Sequence, residues 1–146
     1  MSFSLDLAEF ERKTNAKADR VVRKIVLDVG TRLVMKSPVG DADYWKYPPP
    51  AGYVGGRFRG NWQYGDNQIP SGELSAIDAN GGATVSAINN NLKPDASGKL
   101  HYLVNNLPYA KRLEEGWSRQ APQGMVGLTV IEFLPIVSAA AKAMQT

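Results

Sequence analysis

The chain has 146 residues, of which 43% are hydrophobic and 21% charged, with no cysteine and a formal net charge of +3. This length predicts one domain over residues 1–146 with a sizeable core. The lack of cysteine excludes disulfides and thiolate metal sites and fits a reducing cytosol. No apolar run approaches the ~20 residues of a membrane span. Acidic residues in the N-terminal MSFSLDLAEFERK argue against a signal peptide, so we expect no membrane partner.

A long helix is predicted from about residue 4 to residue 36, because apolar residues recur there at spacings of three and four. Pro38 should end it, since proline disfavours helical geometry at the residue before it. A second face carries a basic stripe: Lys13, Lys17, Arg20 and Lys24. Residues 1–60 hold 11 Lys/Arg against 7 Asp/Glu, whereas residues 61–146 hold 6 against 7. The stripe is either a solvated helix face or a surface for DNA or an acidic neighbour.

The segment 37–60 is too rich in Gly and Pro for a helix and too aromatic for a disordered linker. We therefore expect a long, exposed, structured loop, which in a compact domain usually carries function. Its aromatic and basic side chains fit four interpretations: stacking on nucleic-acid bases, a sugar site, anchors in a protein interface, or a lid on the core. We favour the interface, and its candidate residues are Tyr44, Trp45, Tyr47, Tyr53, Arg57 and Arg59.

Short strands are predicted next, at residues 61–64, 73–79, 83–89 and 100–105. Asn80-Gly81-Gly82 separates two of them, and Asn-Gly between apolar alternations is typical of a hairpin turn. Residues 90–99 are a polar loop. Tyr102 and Val104 should share one face of the last strand.

Two helices complete the chain. Pro108 suits the start of a short helix over 108–115 and Gly116 suits its end. A second apolar stripe from Gly124 to Met144 predicts a long helix kinked at Pro135. The alternative is a strand over 125–133 with a helix from Pro135. The order of elements predicts an α+β fold, in which a long N-terminal helix, a short helix and a C-terminal helix accompany an antiparallel sheet of about four strands, with the long helices on one sheet face.

Signs of catalytic chemistry are sparse. His101 is the only histidine, and on its strand it alternates with Tyr102, which favours a surface histidine. The glycines of VGGRFRG lack the Lys-Ser/Thr ending of a phosphate loop. Glu114 and Glu115 are adjacent, so on a helix they diverge by about 100° and cannot face one substrate together. No carboxylate cluster has metal-ligand spacing. We therefore expect no catalytic residue, no metal and no cofactor, and hence no enzyme.

Two blocks of sequence together resemble a phage protein family. Ser37-Pro38-Val39-Gly40, followed after an insertion by GRFRGNW at residues 56–62, resembles the S-P-V-x-T-G-x-L-R-x-S/N stretch of the neck, or tail-completion, family of long-tailed phages, related to minor tail protein Z of lambda-like phages. NNLPYAKRLEEG at 105–116 resembles that family's N-x-x-x-Y-A-x-x-x-E-x-G. The residues that match this pattern are Tyr109, Ala110, Glu114 or Glu115, and Gly116. WSRQAPQGM then resembles the family's loop into the last helix. Residues 41–55 are longer than the family's turn.

The resemblance implies a structural virion protein at the head–tail junction, which completes the tail and joins it to the DNA-filled head. It also implies a homo-oligomeric ring around the DNA channel, with six copies as the expected number. The implied partners are head connector or stopper proteins, tail terminator or tail tube proteins, and channel DNA through non-specific contact. Two alternatives stay open: a tail terminator ring that caps the tail tube, and a small basic nucleic-acid-binding module.

Overall fold

The computed structural model describes residues 3–40, 46–49, 51 and 55–143, with side chains from residue 13 onward. Helix α1 runs over Phe3–Lys36 and is followed, after the long loop, by a 3-10 turn at Arg59–Asn61. The remaining elements are β1 (Trp62–Asp66), α2 (Gly82–Asn91), β2 (His101–Asn105), α3 (Ala110–Glu114), α4 (Val126–Ile131) and α5 (Phe133–Ala143). The long N-terminal helix, the strands near 62 and 101 and the short helix near 110 are confirmed.

The sheet has two strands in the described part of the chain, so the prediction of about four is wrong. β1 and β2 pair antiparallel, with Trp62 opposite Asn105 and Asp66 opposite His101. The predicted strand at 73–79 has no regular structure, and the predicted strand at 83–89 lies inside α2.

The predicted hairpin fails because Asp78 starts a helix instead. Its carboxylate accepts hydrogen bonds from the N–H of Gly81 (3.1 Å) and from the N–H and hydroxyl of Thr84 (2.8 and 2.7 Å). Such bonds satisfy the free amides of a first helical turn. Burial alone would raise the pKa of Asp78, but the bonds from Thr84 and Gly81 outweigh it, and the pKa is lowered. Thr84 and Ile88, four residues apart, then form the buried side of α2.

The C-terminal helix is confirmed against the alternative strand, although it is broken into α4 and α5 at Glu132. Pro135 accounts for the break, because it has no N–H to donate to the carbonyl of Ile131. Both helices pack mainly against α1. The predicted packing of the C-terminal helix on a sheet face is therefore not what the structure shows.

The core lies between α1, α2 and the sheet, and it continues under α3 and the start of α4. Its most buried large side chains come from separate elements along the whole chain: Val34, Phe58, Ile88, Leu113, Met125 and Ile136. Residues far apart in sequence are therefore brought into one body, and the single-domain prediction stays consistent with this core.

Candidate assembly surface

The aromatic loop rests on a residue of the opposite half of the chain. The backbone N–H of Lys46 donates to the carbonyl of Trp117 (2.8 Å), and the Tyr47 ring lies 5.2 Å from the Trp117 ring. The guanidinium of Arg112 lies 4.9 Å from the centre of the same indole. Tyr47 is 60% exposed, as a partner anchor needs to be. Tyr44, Trp45 and Tyr53 lie outside the described residues, so their interface role stays a prediction.

The two arginines assigned to the interface also have partners within the chain. Arg57 lies 3.4 Å from Glu73. Arg59 donates to the carbonyls of Ala79 (2.8 Å), Ser37 (2.8 Å) and Met35 (3.2 Å). Burial lowers the pKa of Arg59, and the charge of Asp78 opposes that shift. The carbonyls of Met35 and Ser37 lie at the C-terminal end of α1, where a cation is favourable. Arg59 thus fastens the end of α1 to the 3-10 turn, and a further role at an interface stays a prediction.

The two blocks that carry the family resemblance meet in space. The Ser37 hydroxyl donates to the carbonyl of Leu33 (2.6 Å) and accepts from the indole N–H of Trp62 (2.7 Å). The rings of Phe58 and Tyr109 lie 6.3 Å apart, and both are buried. The first block is thereby closed on itself and packed against the second. These residues hold α1, β1 and α3 together, and we call these three elements the frame. They leave few groups for a partner.

Glu114 and Gly116 join α3 to α4. The Glu114 carboxylate accepts from the backbone N–H of Met125 (2.9 Å), Val126 (2.8 Å) and Gly127 (3.0 Å), which are free donors at the start of α4. Glu115 is exposed. Of the two glutamates that the sequence left open, Glu114 therefore has the structural role. Gly116 has φ 87°, as predicted for the residue that ends the short helix.

An exposed apolar surface on α4 and α5 was not anticipated from the sequence. Val130, Ile131 and Leu134 are 67%, 76% and 77% exposed, and Val126 and Phe133 are about half exposed. Val126, Val130 and Phe133, which belong to the apolar stripe predicted between Gly124 and Met144, are exposed, while Thr129, Ile136 and Ala140 are buried. We call this exposed apolar surface the outer face, and it consists of the side chains Val126, Val130, Ile131, Phe133 and Leu134. A signal was present: residues 124–141 contain a single charge, Glu132. A helix that is apolar all round is usually buried.

The charge of Glu132 is used internally. Its carboxylate pairs with Lys36 (2.6 Å) and with Arg32, both on α1. The hydrogen bond from Lys36 is the main cause that lowers the pKa of Glu132. No charged side chain belongs to the outer face itself.

A groove opens between the outer face and α1. It has a volume of about 260 Å³ and is lined by Val29, Leu33, Val126, Thr129, Val130 and Phe133. The one polar side chain, Thr129, donates its hydroxyl to the carbonyl of Met125 (2.8 Å). We call this the α1 groove, and its lining suits apolar groups.

The basic stripe is present on α1 as predicted. Lys13, Lys17 and Arg20 are exposed. Lys24 is half-buried and lies 3.4 Å from Asp28. Spacings of four, three and four keep the stripe within a narrow face of the helix. The exposed cations are therefore placed together, which is the arrangement that either a solvated face or an anionic partner requires.

His101 is not the surface residue that alternation predicted. It is half-buried: its Nε2 lies 2.8 Å from the carbonyl of Ala96 and its Nδ1 lies 2.6 Å from the Tyr64 hydroxyl. Both ring nitrogens thus join β1, β2 and the preceding loop, which is a structural use. Within the described residues no group of His, Asp and Glu has the arrangement of a metal site. None of the described helices has the length and apolar character of a membrane span.

Comparison of this chain with models of known protein families, with curated proteins and with solved structures gives no match. The geometry above therefore carries the functional argument together with the two sequence blocks.

Proposed function

We propose that this chain is a structural subunit of the neck of a long-tailed phage, where it completes the tail and joins it to the DNA-filled head as part of a ring around the DNA channel. The expected partners are further copies of the chain, connector or stopper proteins of the head, and terminator or tube proteins of the tail. It is not an enzyme and has no cofactor.

The observation that carries the proposal is the outer face. Its five side chains are all large and apolar, and three of them are more than two-thirds exposed. Contiguous apolar patches on monomers are typically at most about 300–600 Å², and large ones mark interaction sites. A chain whose most distinctive surface is apolar and uncharged suits permanent assembly with other protein.

The resemblance to the neck family favours the phage neck over other assemblies. The structure gives several residues of the two blocks a structural role: Ser37 and Trp62 connect the end of α1 to β1, and Glu114 and Gly116 connect α3 to α4. We call these two places the joints. A chain that shared these residue types only by chance would have no need to place them where two elements are connected. This consistency supports the proposal.

The experiment is removal of the gene from a phage that encodes this chain. We expect full heads and finished tails that accumulate separately, and joining restored by the wild-type protein. Joined, infectious particles without the gene would disprove the proposal. Tails that fail to stop at the correct length would instead favour the tail terminator. Head-connector genes upstream and a major tail protein gene downstream are a quick first check.

Complementation also tests the aromatic loop. Trp45→Ala with Tyr47→Ala should give a folded, soluble subunit that no longer supports joining. Ser86→Ala with Asn90→Ala, two exposed positions of α2, is the control and should complement normally. Unfolding of the loop variant would make the loop a core lid, and normal infectivity would remove it from the interface.

The exposed cations of α1 favour a second candidate, a small basic nucleic-acid-binding module. Lys13→Glu with Lys17→Glu should then abolish DNA binding that falls steeply with salt. Absence of such binding in the wild-type protein, or normal virion yield from the variant, would make the stripe a solvated face.

A further inference from the structure

We propose that the outer face is the contact between two copies of this chain, in which Ile131 and Leu134 of one copy enter the α1 groove of the next. The proposal deepens the proposed function and rests on it for closure of the contacts into a ring. The self-contact itself does not depend on where the protein acts.

The groove fits apolar side chains of this size. Its only hydroxyl donates to the backbone carbonyl of Met125, just before α4, so a polar ligand would find no free side-chain donor there. A cavity of about 150 Å³ accommodates benzene. The α1 groove, at about 260 Å³, therefore has room for one or two branched aliphatic side chains. Ile131 and Leu134 are the most exposed branched side chains of the same surface.

The protruding pair and the groove face different directions. Val130 lines the groove and Ile131 follows it in α4, and Phe133 lines the groove and Leu134 follows it in α5. Successive residues of a helix diverge by about 100°. The two halves of the contact therefore lie on different flanks. A contact between unlike patches is heterologous, and repeated contacts of that kind build a ring or a filament.

The apolar area of the outer face is large enough to form a substantial part of a protein–protein interface. Five large side chains that are about half to three-quarters exposed leave on the order of 400–500 Å² of apolar area. A stable interface buries about 800 Å² per partner, a little more than half of it apolar. Because Ile131 and Leu134 belong to one side of the contact and Val126, Val130 and Phe133 to the other, the five side chains supply about half of the apolar area of the two sides together.

Charge also favours a second copy. Unlike a basic or acidic partner, an identical chain must avoid like charges at the contact. Glu132, the one charge in this segment, is not part of the outer face and pairs with Arg32 and Lys36 of its own chain. Two copies therefore meet without opposing equal charges across the outer face.

The lack of cysteine allows a direct test, because any introduced cysteine is the only thiol in its chain. Leu134→Cys protein is mixed with differently tagged Val126→Cys protein under a mild copper–phenanthroline oxidant. A disulfide requires Cα atoms within about 7 Å, so rapid formation of the mixed disulfide reports the predicted contact. Ser86→Cys, exposed on α2, replaces Val126→Cys in the control and should react at least ten times more slowly.

Sedimentation of the wild-type protein over rising concentration gives the second measurement. We expect reversible self-association that Leu134→Glu weakens about ten-fold or more, as for an anchor at an interface centre. Leu134→Glu and Val126→Glu proteins should each stay monomeric, but a mixture should form dimers. The Val126→Glu protein keeps Ile131 and Leu134, and the Leu134→Glu protein keeps an intact α1 groove to receive them. Circular dichroism checks that both variants are folded.

Two results would overturn the self-contact: a wild-type protein that stays monomeric at every concentration, or cross-linking no faster than with Ser86→Cys. The outer face would then belong to a different chain. Self-association in a protein whose gene is dispensable for head–tail joining would reject the neck function and leave the self-contact standing. The two proposals can therefore fail separately.

Discussion

The two joints differ from the outer face of α4 and α5 in what their side chains contact. Side chains at the joints bond within the chain, whereas those of the outer face are exposed to solvent. At the joints, Ser37 and Glu114 have their hydrogen bonds satisfied within the chain. On the outer face, Ile131 and Leu134 have most of their surface in solvent. The motifs that suggest the family are at the joints, whereas the surface suited to partners has no motif. Residues that identify a fold and residues that bind a neighbour are thus separate sets in this protein.

The sharpest test of the joints is Gly116→Ala, with Gly98→Ala as control. Both glycines have positive φ, 87° and 77°. A Cβ on Gly116 would clash with the carbonyl oxygen of Pro122, whereas one on Gly98 would meet open space. We expect Gly98→Ala to lower the free energy of unfolding by about 1 kcal/mol and Gly116→Ala by about 3 kcal/mol or more in urea titration. Equal losses would mean that the α3–α4 joint is not rigid.

Glu114→Ala, compared with Glu115→Ala, separates the two adjacent glutamates. Loss of the carboxylate leaves three N–H groups at the start of α4 without their acceptor, which should lower the free energy of unfolding by about 2 kcal/mol. Glu115 is exposed, so its removal should stay within about 0.5 kcal/mol. Urea midpoints measure both. A larger loss for Glu115→Ala would refute the assignment of Glu114.

Ser37→Ala tests the other joint. The indole N–H of the buried Trp62 would lose its acceptor, and an unsatisfied buried donor costs about 1–3 kcal/mol. Ser138→Ala, at an exposed position of α5, is the matched control and should be nearly neutral. If Trp62→Phe removes the effect of Ser37→Ala in a double-mutant cycle, the effect belongs to this bond.

A pH series sharpens the comparison further. The folded pKa of Asp78 lies below its ordinary value of 3.8, so the carboxylate is stabilised in the folded state. Its contribution is fully present above pH 3.8 and is lost as the pH falls through the lower folded pKa. Asp78→Asn should therefore lower Tm at pH 7 and lower it less at pH 3. A constant difference between the two pH values would contradict this linkage.

The smallest effect is expected on the outer face. Ile131→Ser removes a side chain that is 76% exposed, so the stability of the isolated chain should change by less than about 0.5 kcal/mol. Ile136→Ala, at a site 2% exposed in α5, should cost about 2–5 kcal/mol by contrast. If Ile131→Ser were as destabilising as Ile136→Ala, the outer face would be part of the core.

Local signals predicted much of the frame. Apolar spacing and Pro38 identified α1, and Pro108 with Gly116 identified α3, because these features act on their own neighbours in sequence. The hairpin at Asn80-Gly81-Gly82 failed because Asp78, outside the turn, supplies the acceptor for a helix start.

The sequence could not show which side of the C-terminal helices contacts α1, because that depends on packing between residues far apart in the chain. Periodicity placed Val126 and Val130 on one stripe, but nothing local distinguished the stripe that meets α1 from the stripe that meets solvent. In a segment that is apolar on every side, the hydrophobic pattern has no preferred face. Trp117 likewise became a support for the aromatic loop only through its contact with Lys46 and Tyr47.

The pairing of α1 with Glu132 has a consequence for the order of folding during synthesis. Arg32 and its partner are 100 residues apart in the chain. At roughly 5–20 residues per second, Arg32 is made about 5–20 s before Glu132. During that interval Val29 and Leu33 have no α4 or α5 to cover them. The nascent helix is therefore a natural substrate for chaperones, and a ribosome stalled before residue 124 should retain one.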